Sequence, residues 1–197
     1  SVITVVFNAS QVIEKTLNSI LTQTYTNTEF IIIDGGSDDG TIEIIDKHRK
    51  HIDHFISEKD SGIYDAMNKG IQYATGDWIC FMNAGDTFFN TDTIKDLFYK
   101  KEISHDILAG DCIADYKSFT KYLKAKDLQK IIYGMTFCHQ SSFVRANMFQ
   151  KLNFNSEFKI SSDFDFFYRC YLSKAKIKMY RFPFSIINTE GVSNKLQ

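Results

Sequence analysis

The chain has 197 residues, 44% hydrophobic and 24% charged, with a net charge of −1. That length suits one domain with a proper core, and the balanced charge excludes a global basic field that would draw in nucleic acid. No apolar run reaches the ~20 residues a membrane helix needs, no charged-then-apolar signal segment opens the chain, and contact with a membrane surface stays open. The four cysteines, Cys80, Cys112, Cys138 and Cys170, contain no C-x-x-C pair, which argues against a zinc knuckle. Cys80, Cys138 and Cys170 lie in apolar stretches and are expected as buried thiols, with a reducing cytosol as the simplest compartment.

In chain order, Val2 to Phe7 is β-branched and reads as a strand, and Ile13, Leu17, Ile20 and Leu21 follow at helical spacing. Phe30 to Ile33 is apolar throughout, as a strand covered on both faces should be. Thr41 to Arg49 reads as a helix, His54 to Ile56 as a strand, Ile63 to Ala74 as a helix and Trp78 to Met82 as a fourth strand. This alternation predicts a doubly wound α/β sheet. Beyond it the rhythm is less regular. Asp92 is placed to cap a helix through Phe98; Ile107 to Ala109 and Phe137 to Val144 read as strands. Ser162 or Asp163 opens a helix through Cys170, and Ile177 to Phe182 is a late strand ended by Pro183, the only proline.

In an open α/β sheet, ligands bind beyond the carboxyl ends of the strands. Polar residues collect there: Asn8 after the first strand, Asp34 to Thr41 after the second, Glu58 to Gly62 after the third, and Asn83 to Asp86 after the fourth. Any one of these could be a routine turn; four on one edge point to a site. The segments also resemble those of family-2 glycosyltransferases. Asp34 to Thr41 is similar to their D-G-x-S-x-D-G-T signature, Gly62 to Gly70 to the helix after the third strand, and Asn83 to Asp86 to their D-x-D-type motif. His139-Gln140-Ser141 and Ser162-Asp163-Phe164-Asp165 resemble later segments, so the likeness runs from Val2 to about Ser193.

The resemblance implies a GT-A fold: a Rossmann-like nucleotide-sugar-binding mixed sheet flanked by helices. It is expected as a single domain over residues 1–197, with a nucleotide-binding half at 1–90 and an acceptor-binding half at 91–197. It implies transfer of a sugar from a nucleoside-diphosphate sugar, UDP or dTDP rather than an adenine nucleotide, to an acceptor hydroxyl with inversion. Asp34 would accept from the ring N–H of the base, the backbone at Phe7 and Asn8 would frame it, and Ser37, Asp60 and Asn68 would lie near the nucleotide. Asp86 would hold Mn²⁺ or Mg²⁺ on the diphosphate, although Gly85 stands where an acid often precedes it. His139 would border the acceptor, a saccharide or lipid-linked saccharide. Asp163 would be the general base, with Asp165 as the backup. Such enzymes commonly build surface polysaccharides, at the inner membrane face when the acceptor is lipid-linked. A pyrophosphorylase is disfavoured because Asn8-Ala9-Ser10 is neither Gly-rich nor basic, and a dehydrogenase because no G-x-G-x-x-G follows the first strand. A non-catalytic nucleotide-sugar binding module is the alternative from another class.

Overall fold

The structure, a computed structural model, describes residues 1–126 and 128–189. The first half follows the predicted alternation: β1 (Val2–Val6), α1 (Ile13–Leu21), β2 (Phe30–Asp34), α2 (Thr41–Lys47), β3 (His54–Ser57), α3 (Ile63–Tyr73) and β4 (Trp78–Phe81). Then come β5 (Thr87–Phe88), α4 (Thr93–Phe98), β6 (Ile107–Asp115), β7 (Thr120–Leu123), β8 (Ser142–Arg145), α5 (Ala146–Phe149), α6 (Ser162–Leu172) and β9 (Ile177–Asn188). All strands join one mixed sheet in the order β3-β2-β1-β4-β8-β6-β9-β5, with β7 on β6.

The apolar strands are explained by burial on both faces. Ile3 and Val5 of β1 and Ile31 and Ile33 of β2 face one core, closed by Met67 of α3 and Phe166 of α6. Val2, Val6, Phe30 and Ile32 face the other, closed by Ile13 and Leu17 of α1 and Ile45 of α2. Strand side chains alternate between faces, so a strand covered twice must be apolar at every position.

Three expectations need correction. The strand expected at 137–144 begins only at Ser142, because His139–Ser141 forms a 3₁₀ turn, closed by Ser141 N–H donating to Cys138 O and Ser142 Oγ donating to His139 O. Pro183 does not end the last strand, which runs on to Asn188. It pairs with Asp111 between register shifts, so the N–H it lacks falls where the ladder is already irregular. Cys138 is only half-buried, whereas Cys80, Cys112 and Cys170 are buried; all four are free thiols.

Candidate active site

β1 to β4 run parallel, and their carboxyl ends share one edge of the sheet. The loops leaving that edge are tied together by side chains. Asn8, in the left-handed region at φ 46°, donates its backbone N–H to Ser37 Oγ (2.8 Å) and exchanges side-chain bonds with Asp38. Asp39 accepts from Ser10 N, Thr41 N and Thr41 Oγ1, and these bonds hold its carboxyl at about 2.

Asp34 lies at the end of β2 as expected, but its carboxylate does not face the cleft. It has no exposed surface and accepts four hydrogen bonds, from Gly36 N, Ser37 N, Ser37 Oγ and Ser57 Oγ. A carboxylate has about four acceptor sites, so Asp34 is spent on shaping the loop. Ser37 is half-buried, and its hydroxyl is used within the loop, donating to Asp34 Oδ1 and accepting from Asn8 N. Asn68 points the other way: its amide donates to Phe154 O and accepts from Phe154 N, pinning the 154 segment to α3. What remains more open on this edge of the sheet is Phe7, 63% exposed, and the half-buried Asp60. They meet over Gly35, where a Cβ would come within 2.7 Å of Asp60 Oδ2 and 3.4 Å of the Phe7 ring. Glycine at 35 lets these two side chains close over the loop.

A second cluster assembles from four separate elements. Asp163, in the first turn of α6, accepts from the Tyr64 phenol of α3 at 3.0 Å on Oδ1, and Oδ2 lies 3.0 Å from His139 Nδ1. His139 Nε2 lies 3.2 Å from the amide nitrogen of Asn83, which follows β4. Burial alone would raise the Asp163 carboxyl, but the bond and charge of His139 and the Tyr64 hydroxyl outweigh it and hold it at about 2. Burial and the facing Asp163 push the Tyr64 phenol up, so it stays a donor. The side chains of His139 and Asp163 each keep 18% of their surface exposed, so the pair is reachable from solvent. Sequence reasoning gave Tyr64 no role; its place in the first turn of the helix after β3 was the available signal.

Asp86 follows β4 but is 4% exposed, with Oδ1 accepting from Asn188 N (2.7 Å) and Oδ2 from Gln140 Nε2 (2.9 Å). Burial raises its carboxyl to about 6, against the pull of those bonds. Gln140 was also missed, although it adjoins His139. The residue before Asp86 could not be an acid without strain. Gly85 sits at φ 97°, and a Cβ there would lie 3.0 Å from Asn188 Nδ2. Hard divalent ions need several open oxygen ligands. One buried carboxylate with both oxygens bonded, flanked by neutral Asn83 and Gly85, does not supply them, and no group of three His, Cys, Asp or Glu suited to a metal occurs among the described residues. As arranged here, the residues do not fit the expected Mn²⁺ or Mg²⁺.

The chain as a whole is similar to known proteins. A glycosyltransferase of PGL/p-HBAD biosynthesis from Mycobacterium bovis is 31% identical over 186 residues, covering 91% of this chain and 72% of that protein. Staphylococcus aureus TarS (residues 1–349) in complex with UDP superposes with a TM-score of 0.80 at 22% identity, over 95% of this chain and 60% of that one. The mannosyltransferase PcManGT of Pyrobaculum calidifontis, in complex with GDP-Man and Mn²⁺, gives 0.73 at 15% identity, over 94% and 55%. The fold is therefore GT-A, and this chain spans only part of the solved proteins it matches. The sequence pattern of glycosyl transferase family 2 matches residues 1–177. The chain belongs to glycosyl transferase family 2 and is a transferase enzyme.

Proposed function

We propose that this chain moves a sugar from a uridine-diphosphate sugar to an acceptor hydroxyl with inversion, Asp163 acting as the general base. The observation that carries this reading is the Asp163 carboxylate, fixed between His139 and Tyr64 and kept ionised at the cleft. A binding module has no use for such an ion held against its burial. The acceptor oxygen attacks the anomeric carbon as the bond from that carbon to the diphosphate oxygen breaks, and the diphosphate leaves with the electron pair. The hydroxyl proton passes to Asp163. A carboxylate near 2 is a weak base, and it suffices because the attacking hydroxyl becomes strongly acidic as its oxygen bonds to the electron-poor carbon. Tyr64 and His139 keep the carboxylate aimed, and its side chain stays partly exposed.

Residues 1–90 take the nucleotide and 91–197 the acceptor. Phe7 offers the exposed ring against which a base stacks, and beside it lies Asp60, whose Oδ1 accepts from Gly62 N. Asp34, Asn8 and Ser37 act on the nucleotide through the loop they build. Uridine is favoured by the TarS complexes with UDP and UDP-GlcNAc. Asp86 holds the floor of the site together through Gln140 and the end of β9. The acceptor is a saccharide or lipid-linked saccharide, as expected of enzymes of surface-glycan assembly. No helix among the described residues is long and apolar enough to cross a membrane. The test is incubation with α-linked UDP-sugars and a panel of acceptors, followed by proton NMR of the product. A β-linked product supports the reading; an α-linked product overturns the single displacement.

A further inference from the structure

Away from the nucleotide edge, a cavity of about 650 Å³ opens between the β6–β7 hairpin and the segment 135–138. Its walls are apolar: the ring of Tyr122 from β7, the ring of Phe137, and the thioether of Met135. Lys124 and Lys126, both exposed, border it. Asp111, beneath the hairpin, accepts from the Tyr122 hydroxyl (2.7 Å) and Ala125 N (2.7 Å), which fixes the ring and the backbone of this wall. Thr136 in the same wall is buried, and its hydroxyl has no hydrogen-bond partner. Buried polar groups are rarely left so, and a polar ligand atom entering here is the partner at hand. The cavity is also placed for chemistry. Cys138 in its lining directly precedes His139, whose Nδ1 is 3.0 Å from Asp163 Oδ2.

We propose that this cavity holds the non-sugar end of the acceptor, an apolar ring-bearing group with an anionic substituent, while the acceptor hydroxyl lies at Asp163. The proposal rests on the transferase reading above and adds the chemical class of the acceptor. Three features converge on it. The volume lies within the range of small-molecule sites. Aromatic and thioether walls favour a flat apolar body. Two lysines at the border favour an anion over a neutral or cationic group.

The test uses three probes: naphthalene-2-sulfonate, which has both body and charge; 2-methylnaphthalene, which has the body alone; and methanesulfonate, which has the charge alone. Binding is read on protein labelled with ¹³C at the methionine methyls. Met135 lies in the cavity wall, whereas Met67 and Met82 are fully buried in the cores. Naphthalene-2-sulfonate is expected to shift Met135 saturably and leave Met67 and Met82 in place. It should bind about fivefold tighter than 2-methylnaphthalene, and the variant with Lys124→Ala and Lys126→Ala should remove that advantage. Methanesulfonate should give no shift. Saturating UDP should leave the probe's affinity unchanged. The proposal is overturned if Met135 does not move, if all five methionine methyls move together, if methanesulfonate binds as well as the aromatic anion, or if UDP displaces the probe. The donor reading is scored apart, by the rise in melting temperature with UDP. Its loss beside an intact Met135 response counts against the donor and not against the cavity.

Discussion

Replacing Asp163 by Asn should change how stability depends on pH, in a direction set by the bonds from His139 and Tyr64. The folded carboxyl sits at about 2 against an ordinary value of 3.8. Because the folded value is depressed, the unfolded chain binds the proton first as pH falls. The stabilisation is therefore complete above about pH 4 and disappears as pH drops through 2. At ~1.4 kcal/mol per pH unit, the ionised carboxylate contributes about 2 kcal/mol. The side chain is mostly covered, so solvent screening removes little of this. Asparagine keeps the shape and the bond from Tyr64 but carries no charge for His139. Urea unfolding of both proteins from pH 6 to pH 2 gives the difference curve, in which the other carboxylates cancel. The wild-type advantage should be about 2 kcal/mol at pH 5 and should shrink towards zero near pH 2. A difference that stays flat across that range would show that Asp163 is not held ionised by His139 and Tyr64.

Further outcomes follow from the same geometry. Tyr64→Phe removes one donor to Asp163, so the acidic limb of the kcat profile should move to higher pH while KM for the donor stays within about twofold; an unmoved limb would confine Tyr64 to packing. Asp86→Ala leaves Asn188 N and Gln140 Nε2 without their acceptor, and should cost about 1–3 kcal/mol in urea unfolding, with Asp86→Asn costing less. Equal stability of Asp86→Ala and wild type would contradict the structural role given to this carboxylate. Gly85→Ala places a Cβ at φ 97° and should cost about 1 kcal/mol or more; a neutral or stabilising result in thermal melts would mean that the loop is not held in that conformation.

The first half of the chain was legible because its signals are local. A strand apolar at every position, such as Phe30 to Ile33, announces burial on both faces, and the Gly, Asp and Ser clusters mark where parallel strands end. Several features were not legible because they depend on partners far along the chain. Asp34 looked free for a ligand, yet Ser57, 23 positions on, is among the groups that fill its acceptor sites. Asn68 was assigned to the nucleotide, and only its two bonds to Phe154 show that it faces the other way. Pro183 is a strand breaker by local rules, and only the irregular pairing with β6 makes it harmless. Asp86 passed for an open metal ligand because nothing in Asn83 to Asp86 reveals that the end of β9 returns to cover it. Asp163 was singled out by the resemblance of its segment, but the bonds that hold its carboxyl low come from His139 and Tyr64, 24 and 99 positions away.

The central claim is tested most directly by measuring sugar transfer and nucleotide binding on the same two proteins, wild type and Asp163→Asn. Transfer is followed as release of UDP from a UDP-sugar in the presence of an acceptor, and binding as the heat of UDP titration. The account predicts that UDP binds both proteins with the same affinity, while acceptor-dependent release falls by roughly 10²-fold or more in the variant, the scale of a lost general base. Release at the wild-type rate from Asp163→Asn, with UDP binding intact, would contradict it.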